Sequence, residues 1–311
     1  MRKMTLVITS LFTLTVLGIF IYKTHRRAFD NSKTMNMNRN KISVVTSFYP
    51  LYFFAAKIGG DKVAVKNITP SGAEPHDYDP STRDIADIEK SNILVLNGGV
   101  ESWGNKIRDN VKGTGVIVIT AGDGLLTQQV NEDGQNQTDP HVWLDPILAK
   151  KEAHKIADGL MKADSVNAKY YLENETALDN QLDSLDISYK NGLSSCKEKD
   201  IITSHAAFGY LATRYHLTQV PIAGLSPDAE PSAKQLADIA TFARVHNINY
   251  IFFESLVSPK LSQTIATEIG AKTLVLDPIE GVSDADMKIG KNYLTIMENN
   301  LTNLQTALDC K

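Results

Sequence analysis

Short apolar runs rich in β-branched residues alternate along the chain with segments whose apolar residues recur at helical spacing. This alternation predicts βαβ units and parallel strands. The runs form two groups of four, so we predict an α/β protein with two lobes, each built on a four-stranded parallel sheet flanked by helices. The candidate strands are 42–47, 63–68, 93–98 and 116–120 in the first lobe, and 201–204, 219–224, 250–255 and 273–277 in the second.

A helical stretch with little strand character separates the two groups. It consists of residues 146–163 and a longer piece, 165–193, for which Ser165 is the predicted N-cap and Gly192 the predicted end. A helix of about 25 residues is nearly 40 Å long, so we predict a stiff connector between lobes, the alternative being an ordinary surface helix of one domain. The predicted domains are a first lobe at 42–163, a connecting helix at 164–193 and a second lobe at 194–311.

The N-terminal segment, residues 1–29, contains an uncharged apolar run at 4–22 that is long enough to span a bilayer. No small-residue cleavage site follows the run, and basic residues come next, which favours an uncleaved anchor over a signal peptide. No cysteine lies near its end, so a lipoprotein anchor is excluded. Residues 30–41 are polar and aperiodic, as in a tether. We therefore predict an extracytoplasmic protein that meets the membrane only through its N-terminus.

The charge of the predicted globular part favours a cationic ligand. Residues 42–311 carry 24 Lys and Arg against 35 Asp and Glu, a net charge of −11. This excess of acids argues against nucleic acid or anionic lipid as a partner. We expect the globular part to act as a monomer.

The sequence contains two cysteines, Cys196 and Cys310. In an exported protein, a pair of cysteines is expected to form a disulfide. Two buried free thiols are the alternative.

Three of the seven histidines follow predicted strands, namely His76, His141 and His205. A fourth loop of this kind, after the last strand, offers Asp277 and Glu280. All four loops lie at the carboxyl ends of parallel strands, where open α/β sheets bind ligands. The sequence thus predicts one site, assembled by the fold from distant segments.

Three imidazoles and one carboxylate are a ligand set suited to Zn²⁺, and less to Mn²⁺. Two of the histidines follow an acid and a proline, in 74-EPH-76 and 139-DPH-141. Glu74 and Asp139 are thus candidates to accept a hydrogen bond from a ring N–H and set its tautomer, as is Asp145.

Nucleophile elbows, dinucleotide-binding glycine motifs and Walker loops are absent from the sequence. A zinc hydrolase remains an alternative to a binding protein, with Glu74 or Glu280 as general base beside an activated water. A structural or adhesive surface protein is a third possibility.

From Ile42 to Ala307, the sequence resembles the cluster A-I metal-binding proteins of ABC transporters, which include the high-affinity zinc and manganese uptake receptors. The resemblance implies a non-enzymatic receptor that holds the metal between two α/β lobes joined by one long helix and delivers it to an ABC permease. By position, His76, His141 and His205 match the family's first three ligands. A histidine at the third ligand position resembles the zinc receptors of the family. The resemblance rests on 74-EPHDYDPS-81, 139-DPHVWLDP-146, 204-SHAAFGYL-211, 221-PIAGLSPDAEPS-232, 252-FFE-254 and 275-VLDPIEG-281.

The fourth ligand remains open between Glu280, Asp277 and a water. The pattern 280-EG-281 resembles zinc receptors that use glutamate, which favours Glu280. The sequence departs from many zinc receptors in having a short segment without histidine at 127–139, and it lacks a lipobox cysteine.

Overall fold

A computed structural model of the protein describes residues 41–132, 134–228 and 231–311. The predicted anchor at 1–29 and, except for Lys41, the predicted tether lie outside the described residues. Within the described ranges, no helix combines the length and the apolar composition needed to cross a membrane.

The first half of the described chain builds a parallel four-stranded sheet in the order β2-β1-β3-β4. Strand β3 is buried along its whole length, as its unbroken apolar run requires. A capping box of Ser81 and Asp84 begins helix α2. The elements are β1 Ile42–Thr46, α1 Tyr49–Gly59, β2 Val63–Asn67, α2 Thr82–Lys90, β3 Ile93–Leu96, α3 Gly104–Asn110 and β4 Ile117–Thr120.

An antiparallel hairpin, β5 (Gln129–Glu132) with β6 (Gln135–Thr138), occupies the segment in which the sequence indicated only a short loop. Its strands are polar and mostly exposed, so they lack the apolar alternation by which strands are recognised. The Glu132 carboxylate accepts a hydrogen bond from the Leu225 N–H. The hairpin therefore connects the two halves of the described chain.

Two helices follow, α4 (Pro146–Ala163) and α5 (Ala168–Leu193). The predicted end of the long helix at residue 193 is confirmed, whereas its N-cap lies two residues later than predicted. Ser165 belongs to a short 3₁₀ turn, and Asn167 is the N-cap of α5. Gly192 lies inside the helix, where an added Cβ would come within 2.6 Å of the Gln305 side chain. The helix continues through Gly192 to Leu193, so this glycine is not its C-terminal cap.

The second parallel sheet has the order β10-β9-β7-β8, and the two sheets with their long connecting helix confirm the predicted fold class. Asn292 begins the last helix, α10, by accepting hydrogen bonds from two backbone N–H groups. The elements are β7 Asp200–Thr203, α6 Gly209–Arg214, β8 Thr218–Pro221, α7 Ala233–Val245, β9 Tyr250–Phe253, α8 Lys260–Ile269, β10 Lys272–Val275, α9 Asp284–Lys288 and α10 Tyr293–Ala307.

One apolar core extends from the first sheet to the second through α5. Asn174 of α5 donates a hydrogen bond to the Ile58 carbonyl of α1 at 2.9 Å, and the buried Tyr189 hydroxyl donates to the Met297 carbonyl of α10 at 2.7 Å. The connecting helix is thus attached to both halves, and residues 42–311 form one compact unit. The predicted boundaries at 163/164 and 193/194 stay a prediction.

Candidate metal centre

The fold brings four predicted residues together, one from each of the four loops. His76 lies between β2 and α2, His141 between β6 and α4, His205 directly after β7, and Glu280 between β10 and α9. One ligand atom from each lies within 4.8 Å of those from the other three. The carboxyl ends of both sheets therefore contribute to a single site.

Five of the six distances between the four ligand atoms are close to the edges of a small tetrahedron, and the sixth, between His76 and His205, is at most 4.8 Å. The Glu280 Oε1 atom lies 3.1 Å from the Nε2 atoms of His76 and His141 and 3.4 Å from that of His205. The His141 Nε2 atom is 3.2 Å from that of His76 and 3.3 Å from that of His205. A tetrahedral zinc ion with bonds of about 2.0–2.1 Å needs ligand atoms about 3.3–3.4 Å apart. The spacing therefore fits Zn²⁺.

The site is closed to solvent on most sides. His141 and His205 are fully buried, Glu280 is 1% exposed, and the His76 side chain is 10% exposed. The Glu280 Oε2 atom is buried and has no hydrogen-bond partner among the described residues. A cation between these side chains would compensate the buried negative charge.

Two carboxylates orient the buried imidazoles. Asp139 Oδ1 lies 2.8 Å from the Nδ1 atom of His141, and Glu254 Oε1 lies 2.6 Å from that of His205. Because a carboxylate accepts, each Nδ1 donates, and each Nε2 atom is left facing the centre of the site. Asp139 occupies the predicted position. Glu254 was not among the predicted site residues, although it directly follows β9 at the same edge of the sheet.

Three other predicted acids have different contacts. The Glu74 carboxylate accepts from the backbone N–H of His76 at 3.2 Å, where the sequence predicted a ring contact. Asp145 caps α4 and pairs with Arg214, so it orients a helix where an imidazole contact was predicted. Asp277 accepts from the hydroxyl of Ser255 at 2.6 Å. Asp277 is not one of the residues whose ligand atoms meet at the site, which are the three histidines and Glu280.

The electrostatics of the site favour charged imidazoles beside a charged carboxylate when no metal is bound. Burial lowers the pKa of His205, but the carboxylates of Glu254 and Glu280 outweigh burial and hold it well above its usual range. The pKa of His141 is raised despite burial, through Asp139 and Glu280. Burial opposes ionisation of Glu280, but His205, His141 and His76 lower its pKa well below the usual range. Burial and the neighbouring Glu280 raise the pKa of Glu74 to about 9.

Zinc binding is expected to strengthen with rising pH through neutrality and to weaken in acid. The raised pKa values of His141 and His205 mean that these rings keep their protons to a higher pH than a free imidazole does in the metal-free protein. Zinc requires the neutral rings and must displace those protons. Titration calorimetry in buffers of different ionisation enthalpy should show that zinc binding releases protons. Binding with no proton release would contradict the pKa directions.

Comparisons with known proteins agree on one family. The family model described as ZnuA, zinc-uptake complex component A, periplasmic, matches residues 44–307. The high-affinity zinc uptake system protein ZnuA of Bacillus subtilis (strain 168) is 40% identical over 281 residues, covering 86% of this chain and 88% of that protein.

A further relative is streptococcal, and its matching domain has a solved structure. The zinc-binding lipoprotein AdcA of Streptococcus pneumoniae (strain ATCC BAA-255 / R6) is 41% identical over 282 residues, and the matched region spans 86% of this chain but 56% of AdcA. The chain thus covers only about half of that longer relative. The crystal structure of the Zn(II)-bound ZnuA-like domain of Streptococcus pneumoniae AdcA superposes with a TM-score of 0.76 at 39% identity, covering 86% of this chain and 99% of that domain.

Proposed function

This chain belongs to the family of ZnuA, the periplasmic component A of zinc-uptake complexes, and from that premise we propose that it is an extracytoplasmic zinc-binding receptor. In this proposal, it captures Zn²⁺ between the ends of its two sheets and delivers the ion to an ABC importer permease. The observation that carries the proposal is the tetrahedral spacing of the four ligand atoms of His76, His141, His205 and Glu280. Mn²⁺ is less well suited to three imidazoles.

In capture, the ligand side chains replace the water shell of the arriving ion. His76 is the most exposed of the four ligands, so we infer that the ion makes its first protein contact there. Asp139 and Glu254 keep the Nε2 lone pairs of His141 and His205 directed inward, so these rings need no reorientation. Glu280 supplies the negative charge that favours a divalent cation in a buried site.

The same geometry does not favour a zinc hydrolase. A hydrolytic zinc site keeps one coordination position for a water, whereas the Glu280 carboxylate takes the fourth corner here. We therefore propose that the protein is not an enzyme.

The remaining proposals concern partners and location. We propose that the N-terminal segment alone holds the protein at the membrane, that the globular part is monomeric, and that its partner is a permease of the ABC type. The acidic charge of residues 42–311 supports a cation receptor.

Replacing Glu280 with alanine is expected to weaken zinc binding more than replacing Asp277 with alanine. The first change removes a corner of the tetrahedron, whereas the Asp277 carboxylate is engaged by Ser255 and the Ile279 N–H. Competition titration with a chromophoric chelator on the full-length protein in detergent measures both affinities, with X-ray absorption spectroscopy to count imidazole and carboxylate ligands. The reverse ranking, or a spectrum with fewer than three imidazoles, would contradict the assignment.

A further inference from the structure

The loop that carries Glu280 contains a buried residue in an unfavourable backbone conformation. Ile279 has φ of 61° and is fully buried. The left-handed region is costly for any residue with a Cβ, and most of all for a β-branched one. Because Ile279 directly precedes Glu280, a relaxation of its φ would swing the peptide that leads into the ligand. Contacts from neighbouring residues must therefore hold the backbone of this loop in the strained conformation.

The side chain of Asp277 forms the first part of a clamp on this loop. One carboxylate oxygen accepts from the Ile279 N–H at 2.7 Å, and the other accepts from the Ser255 hydroxyl at 2.6 Å. The first bond closes a tight turn over Pro278 and directly restrains the strained residue. The second ties that turn to the end of β9.

The amide of Asn300, on α10, forms the second part of the clamp. Its Oδ1 atom accepts from the Asp277 N–H at 2.9 Å, and its Nδ2 group donates to the Asp277 carbonyl at 2.7 Å. Asn300 is 1% exposed, so these bonds lie away from water and are hard to replace. A single buried side chain thus fixes both backbone groups of Asp277.

The indole of Trp143 joins this loop to the loop that carries His141. The indole Nε1–H donates to the Pro278 carbonyl at 2.7 Å, and the backbone carbonyl of Trp143 accepts from the Tyr293 hydroxyl. Trp143 is fully buried and follows His141 by two residues. The positions of the two ligand loops are therefore coupled through one hydrogen bond.

We propose that Asp277 and Asn300 are positioning residues that hold Ile279 in its left-handed conformation and thereby fix the Glu280 carboxylate against the three imidazoles. The inference rests on the proposed zinc-binding function, which it deepens. With the loop held, the ligand set is formed before the ion arrives, and binding does not have to order the carboxylate. Asp277 then acts on the metal only through the conformation of the loop.

Four variants test this role in the full-length protein. Asp277→Ala removes both side-chain bonds, whereas Asp277→Asn keeps an oxygen that accepts from the Ile279 N–H and offers an amide N–H that donates to the Ser255 hydroxyl. Asn300→Ala opens the second part of the clamp. Asn303→Ala is its matched control, because Asn303 lies one turn further along α10 and bonds to the Val275 carbonyl of β10, outside the loop, at 2.9 Å.

Zinc affinity is measured by chelator competition, and amide hydrogen exchange at Ile279 and Glu280 is measured in the metal-free protein. We expect Asp277→Ala and Asn300→Ala to weaken zinc binding by about 10- to 100-fold, as loss of ligand-orienting partners does, and to accelerate exchange at these two amides. Asp277→Asn and Asn303→Ala should stay close to wild type in both measurements.

Unchanged affinity and exchange in Asp277→Ala would overturn the proposal. So would an equal loss of affinity in Asp277→Asn, because the carboxylate itself would then be required. A wild-type protein that binds no zinc would instead overturn the proposed function. The exchange comparison would still decide whether the clamp holds the loop, since it is made without metal.

Discussion

Replacing His205 with alanine is expected to weaken zinc binding by more than about 100-fold, since loss of a ligand should exceed the 10- to 100-fold effect of losing a ligand's partner. The change removes one corner of the tetrahedron, and a water in its place would lack the orientation that Glu254 imposes at 2.6 Å. It also leaves the Glu254 carboxylate buried without its donor. Cooperative unfolding should persist, because the His205 side chain is not part of the apolar core.

Chelator competition gives the affinity, and thermal unfolding of the metal-free protein checks the fold. His246→Ala is the matched control, because His246 pairs with Asp200 at the surface, outside the tetrahedron. His246→Ala should bind zinc like wild type. If His205→Ala also retained wild-type affinity, His205 would not be a ligand.

Removing the bond between Cys196 and Cys310 is expected to destabilise the protein by about 5 kcal/mol in the chain-entropy model. The structure joins these residues in a disulfide across a sequence separation of 114. The bond ties the segment after α5 to the segment after α10, and it restricts a very long loop in the unfolded chain. Its effect should therefore appear as a lower free energy of unfolding with little change in zinc affinity.

Denaturant unfolding of wild type and of the Cys196→Ser/Cys310→Ser double variant measures the difference. Reductant should lower the stability of wild type and leave that of the double variant unchanged. Thiol labelling of the denatured protein before and after reduction counts the free cysteines. Equal labelling under both conditions would show that the disulfide does not form.

The continuity of the apolar core limits how the ion can be released. Because α5 is bonded to α1 through Asn174 and to α10 through Tyr189, a wide hinge opening would break buried hydrogen bonds and expose the shared core. We therefore expect release to need only a small shift of the ligand loops.

Some errors of the sequence analysis have identifiable physical causes. Gly192 was predicted to end α5, but the helix continues to Leu193, and side chains of α10 pack close to this glycine. The strands of the hairpin β5–β6 lack the alternation of apolar and polar residues that would predict them from the sequence. Asp145 is close to His141 in sequence, but its carboxylate accepts hydrogen bonds from the backbone N–H groups at the start of α4.

The sequence by itself determined the class of fold and the loops that carry the chemistry. Strand and helix periodicities are local, and in parallel sheets the residues that follow a strand lie at the carboxyl edge, so His76 and His205 could be assigned to one site. His141 was assigned to the same site as a residue that follows the fourth strand, although the hairpin β5–β6 lies between them. Motifs around Glu280 likewise favoured it over Asp277 from sequence alone.

Only the tertiary structure decided which acid faces the histidines and what holds it there. The partners of His205 and Asp277 are Glu254 and Asn300, which lie 49 and 23 residues away. No local pattern encodes such pairs, because they form only when both sheets and the last helix have packed. The spacing of the tetrahedron and the restraint on Ile279 are therefore properties of the folded chain, and they make the zinc assignment a geometric one.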